Sequence, residues 1–186
     1  MVSVLSLLIP IALSAVFVFI ASSIIHMALP WHKNDLEKLP NEDGVMNALR
    51  PFNIPPGDYG MPKADSMKDM QSPVFMEKFK AGPVAFMTVR PSGAWSMSGP
   101  LIQWFIYSLV VSMVAGYIAG VAFGPGTEYL RVFQVAGCVA FTGYALGLPQ
   151  ESIWWSRGWG RTLRSMLDGL LYGLLTGGTF GWLWPR

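Results

Sequence analysis

Polar and apolar positions in this chain separate on the scale of whole elements. Residues 1–29 and 100–123 carry no Asp, Glu, Lys or Arg. Residues 128–148 are charged only near their start, and residues 165–186 only at Asp168 and the closing Arg186. A helix needs about 20 mostly apolar residues to cross the hydrocarbon core, and each run is long enough. The pattern predicts an all-α membrane protein, a bundle of four transmembrane helices. Residues 30–99, between the first two helices, contain nine prolines and are too long for a connector. They are expected to form a small Pro-rich cap outside the membrane. A cleaved signal peptide fits the first run poorly, because no basic residue precedes it and it is about twice the usual apolar length.

Small residues mark the helix faces that should pack. Gly169, Gly173, Gly177 and Gly181 recur at every fourth position, a glycine zipper on one helical face where another backbone can approach closely. The second run has its own stripe of Ser108, Ser112, Gly116 and Gly120. With four crossings the second and fourth helices run parallel, so these stripes are expected to meet each other or a second copy. The Gly124-Pro-Gly-Thr127 turn is short enough to make the second and third helices an antiparallel hairpin.

Within the cap, Asn41 followed by two acids predicts an N-cap and a helix to Arg50, and Ser72-Pro73 starts a second helix through Lys80. Residues 53–58 read as an irregular turn and residues 84–89 as a strand.

Composition agrees with the pattern. With 52% apolar and 13% charged residues, the polar positions are too few to cover a soluble globule. The 13 basic and 11 acidic residues lie mostly outside the apolar runs, which argues against a nucleic-acid surface. Eleven of the 13 Lys and Arg fall in residues 30–99 and 149–165, so the positive-inside rule places both segments in the cytoplasm and both termini outward. The lone Cys138 sits in an apolar run, which leaves no disulfide framework or thiolate cluster.

Candidate chemistry centres on Asp168, the acid well inside an apolar run, since an acid in a membrane helix is costly to insert. By depth His26 and Gln103 come level with it, and Arg164 lies one turn before it. Such a cluster could be a proton or ion relay. Its plain reading is a structural ion pair of Asp168 with Arg164 or Arg161. His26 and His32 are the two histidines, and with Pro30 between them they need not share a helical face. Seven methionines in residues 30–99 offer soft donors for Cu(I), but their spacing matches no defined site. No metal or other cofactor is therefore assigned.

Trp154, Trp155 and Trp159, interleaved with Arg157 and Arg161 in residues 149–164, read as an interfacial anchor in contact with lipid headgroups rather than a nucleic-acid stacking surface, and Trp31 marks the same interface after the first run. Phosphate loops, nucleophile elbows and zinc-protease motifs are missing, so no catalytic residue is named and the pattern points away from an enzyme.

The combination WHKNDLEKLPNED, IWWSRGW and LDGLLYGLLTGGTFGWLWP resembles a family of small bacterial inner-membrane proteins that brings no activity. The resemblance implies a bacterial cytoplasmic membrane and transfers no site. The leading expectation is a non-enzymatic protein acting through helix packing, as a homo-oligomer or as an accessory subunit of a membrane complex. A small transporter or channel using Asp168 and His26 is the alternative, and a metal-binding membrane protein the third.

Overall fold

The structure is a computed structural model that describes all residues, Met1–Arg186. It is mostly helical and divides into two compact units. The first joins Met1–Leu36 to Ser96–Arg186; the second is Glu37–Trp95.

The first unit contains three helical stretches long and apolar enough to cross a membrane, Val4–Ala28, Ser98–Ala122 and Tyr129–Trp155. The opening stretch is a 3-10 turn, then α1 (Leu8–Ser23), then a π turn over Ile24–Ala28. Leu29 is extended, as the residue before a proline prefers, and Pro30–His32 form a short 3-10 turn.

The Glu37–Trp95 unit holds α2 (Glu42–Leu49), β1 (Gly57–Met61), α3 (Met67–Met70), α4 (Pro73–Ala81) and β2 (Ala85–Val89). Asn41 and Ser72 cap α2 and α4 through the amides of Gly44 and Phe75. The strands pair antiparallel, with Tyr59 opposite Met87. This small sheet corrects the all-α expectation. Gly57 and Asp58 lie in β1 rather than in an irregular turn, a strand whose glycines hide its pattern.

The second stretch is α5 (Ser98–Ala122). The third runs through α6 (Tyr129–Phe141), a second π turn over Thr142–Leu146, and α7 (Pro149–Trp155). Ser156 turns the corner in the left-handed region, φ 53°, into α8 (Trp159–Trp182). A buried bond of 2.7 Å between the Ser152 and Thr162 hydroxyls fixes this corner. Residues 149–164 are thus largely helical rather than a simple connection.

Two layers of apolar side chains fill the unit. Leu7, Ile11, Ala115, Ala119, Val132 and Phe180 form one, and Val18, Ile25, Val111, Ala140, Tyr144 and Tyr172 the other. Small residues let the helices close. A Cβ on Gly177 would lie 2.6 Å from the Phe133 carbonyl, and one on Gly173 would lie 3.0 Å from the Gly137 carbonyl. Gly169 faces Ala145 and Gly181 faces Tyr129, so the α8 seam packs on the third stretch. This differs from the pairing with the second helix that the parallel stripes suggest. The α5 stripe is covered instead by α1 and its lead-in and by Phe180. Ser112 accepts a 3.0 Å hydrogen bond from Ser14, Gly116 lies under the Phe180 ring, and Gly120 meets Val2. Ser108 is fully buried and donates to the Trp104 carbonyl at 3.0 Å.

Candidate metal centre

The polar site forms where the first stretch breaks. The Pro30 turn ends the helix and folds His32 back against His26. Their imidazoles stack with centroids 4.5 Å apart and planes within 5°. From α8, Asp168 approaches the same point, and its Oδ2 lies 2.7 Å from His32 Nε2. On the other side of that ring, His32 Nδ1 lies 2.5 Å from Asp35 Oδ2. The second Asp35 oxygen accepts from both Nε and Nη2 of Arg164. Two carboxylates, one guanidinium and an imidazole therefore form a continuous chain.

The inner part of the chain is shielded from solvent, while Arg164 is 35% exposed and His26 beside it is exposed. Side-chain exposure is 6% for Asp168, 12% for His32 and 14% for Asp35. At such burial unpaired charges would be costly, so pairing is what makes the arrangement tenable. Partial burial pushes the Asp35 carboxyl up, but hydrogen bonds and charge from His32 and Arg164 outweigh it and hold the group below the ordinary aspartate range. Asp35 is accordingly a fixed acceptor near neutral pH.

Both rings are held at Nδ1. His26 Nδ1 is 3.0 Å from the Ser22 carbonyl, which can only accept, so Nδ1 carries a proton and Nε2 is the nitrogen whose lone pair a metal would use. Asp35 does the same for His32, and His32 Nε2 meets Asp168 across a proton at 2.7 Å. A carboxylate or carbonyl behind each imidazole is the support that metal-ligating histidines ordinarily have. The donor atoms of His26, His32 and Asp168 all lie within 4.8 Å of one another. Tetrahedral ligand atoms about 2.1 Å from one ion sit about 3.4 Å apart, so metal binding requires the set to contract from its spread of up to 4.8 Å and the 2.7 Å His32–Asp168 contact to open.

Beside this group is a cavity of about 300 Å³, with His26, Asp168, Ser22, Trp104, Tyr144 and Tyr172 among its lining. Ser22 links it to the centre: its hydroxyl accepts from Trp104 Nε1 at 2.8 Å while its carbonyl holds His26. The two π turns carry His26 and Tyr144, wide turns of a kind often found at functional sites.

No protein-family model, curated protein or solved structure matches this chain. The site is therefore assigned by its chemistry. Of the residues expected to cluster, His26, Arg164 and Asp168 come together. Gln103 does not; it is exposed on α5, and the next residue, Trp104, faces the cavity instead. Arg164 reaches Asp168 only through Asp35 and His32, so the simple Arg164–Asp168 pair is replaced by a four-residue chain. His32 and Asp35 are the residues that sequence reasoning missed. The signal was present in Pro30, which breaks the helix and frees the next residues to turn back. Trp31, Trp154, Trp155, Trp159 and Arg161 are exposed, and Arg157 lies 3.9 Å from Glu151.

Proposed function

We propose that this protein is a membrane-embedded metal-binding protein whose centre is His26, His32 and Asp168. The observation that carries the reading is that a ring nitrogen of His26, one of His32 and a carboxylate oxygen of the buried Asp168 lie within 4.8 Å of one another, with each imidazole held at Nδ1 from behind. Two imidazoles and one carboxylate suit a divalent first-row ion such as Zn²⁺ or Fe²⁺ and leave further coordination positions open. Asp35 would orient His32, and Arg164 would orient Asp35. Metal analysis of the gently extracted protein, followed by calorimetric titration with Zn²⁺, tests this. Stoichiometric binding that His26→Ala abolishes supports the reading, and a wild-type chain that takes up no divalent ion overturns it.

The membrane setting follows from the same elements. α8 is the fourth span in this proposal: its charged residues are confined to its first half, at Arg161, Arg164 and Asp168, and Asp168 is hydrogen-bonded to His32. The distribution of Lys and Arg supports a centre at the cytoplasmic side of a bacterial inner membrane, with both termini outward.

A second reading is a proton or cation relay along Asp168, His32 and Asp35, favoured by the unbroken 2.7 and 2.5 Å links. Asp168→Asn should then abolish proton flux in liposomes, and intact flux would remove that reading. The glycine and serine stripes lend less support to a protein acting through oligomeric packing, because residues of this same chain cover them.

A further inference from the structure

The cavity beside the centre has a built interior. Trp104, Tyr144 and Tyr172 pack as a triangle of rings, with centroids 5.9, 5.8 and 5.4 Å apart. Trp104 is tethered to Ser22, so the aromatic wall is positioned before any ligand arrives. Tyr172 is only 4% exposed, and its hydroxyl has no hydrogen-bond partner. A hydroxyl buried in this way costs free energy unless something bonds it. Tyr172 lies one helical turn after Asp168, and both line the cavity. Tyr172 and Asp168, a ligand of the proposed metal centre, thus line one space.

We infer that this cavity binds a lipid-soluble, single-ring aromatic molecule bearing a phenolic or carbonyl oxygen, with the oxygen held between the metal and the Tyr172 hydroxyl. This rests on the metal-binding reading of the centre. The volume, about 300 Å³, is at the small end for ligand pockets and suits one substituted ring rather than an acyl chain or a large cofactor. The walls select for flatness, because aromatic faces pack best on another ring. The oxygen is required by the polar end, where Tyr172 needs a partner and three protein ligands leave coordination positions free. Exposed Met27 and Met97 among the lining residues give the space an apolar approach.

The test uses the full chain in nanodiscs, loaded with Zn²⁺, and 4-fluorophenol as the probe, followed by ¹⁹F NMR. Saturable binding is expected, weakened about tenfold by Tyr172→Phe, the loss of one hydrogen bond. Leu101 also lines the cavity, and Leu101→Trp should fill it and abolish binding. Both variants should keep full Zn²⁺ content, which also shows that they are folded. Replacing Zn²⁺ by Mn²⁺ should broaden the bound probe signal strongly in the wild type. Probe uptake that never saturates, or that Tyr172→Phe and Leu101→Trp leave unchanged while Zn²⁺ stays bound, overturns the inference and leaves the metal centre standing. A wild-type chain without Zn²⁺ overturns the metal reading beneath it, so the two failures are told apart.

Discussion

The imidazole of His32 lies parallel to that of His26, 4.5 Å from it, although a helix break separates them. One nitrogen of each imidazole and a carboxylate oxygen of Asp168 lie within 4.8 Å of one another. The arrangement depends on Pro30, without which the chain after Ala28 could continue as helix and carry His32 away from His26.

Removing His26, His32 or Asp168 should each reduce Zn²⁺ affinity at least 100-fold by calorimetry. Asp35→Asn removes only the group behind His32 and should cost about 10–100-fold. Retained affinity in Asp35→Asn would mean that Asp35 does not orient the ligand.

Metal uptake should release a proton. The 2.7 Å contact between His32 Nε2 and Asp168 Oδ2 needs a proton between the two atoms, and a metal on Nε2 displaces it. Below neutrality, affinity should therefore fall by up to about tenfold per pH unit. Titrations in buffers of different ionisation enthalpy would count the proton, and a value of zero would contradict the shared-proton arrangement.

Acid should loosen the metal-free protein through Asp35. Its carboxyl is held below the ordinary aspartate value, so its contribution is fully present above about pH 4 and is lost as pH falls through the depressed value. Thermal melts of wild type and Asp35→Asn should differ at pH 6 and converge near pH 2. A gap that persists at low pH would assign the stabilisation to something other than the ionised carboxylate.

The seam glycines should matter to folding, not to assembly. Gly177→Ala forces a Cβ to within 2.6 Å of the Phe133 carbonyl, whereas at neighbouring Gly178 the nearest atom is the Tyr129 hydroxyl at 3.6 Å. The first should lose about 1–3 kcal/mol; the second should lose far less. Denaturation in mixed micelles measures both, and native mass spectrometry should show no change in oligomeric mass for the folded fraction of either variant.

Much of the architecture was legible because lipid imposes length and composition. The apolar stretches, the caps at Asn41 and Ser72 and the strand near Ala85 follow from local patterns. The seam's partner was not legible: a glycine stripe shows that a backbone comes close but not which one, and α6 presents its own small residue, Gly137, there. The site was half legible. Asp168 and His26 stand out as polar groups in apolar runs, while His32 and Asp35 sit in an ordinary charged segment. Gln103 and Trp104 show the limit of depth arguments, since one residue of rotation on α5 decides which of them faces inward.

The two π turns set stability against function. Each holds one residue more than an α-turn needs, and the two turns carry His26 and Tyr144, both lining the cavity. Deleting one residue from either turn would restore regular helix and rotate everything beyond it by about 100°. Selection for thermal stability alone would favour such regular helices. A variant could therefore come out of that selection better folded and without its site.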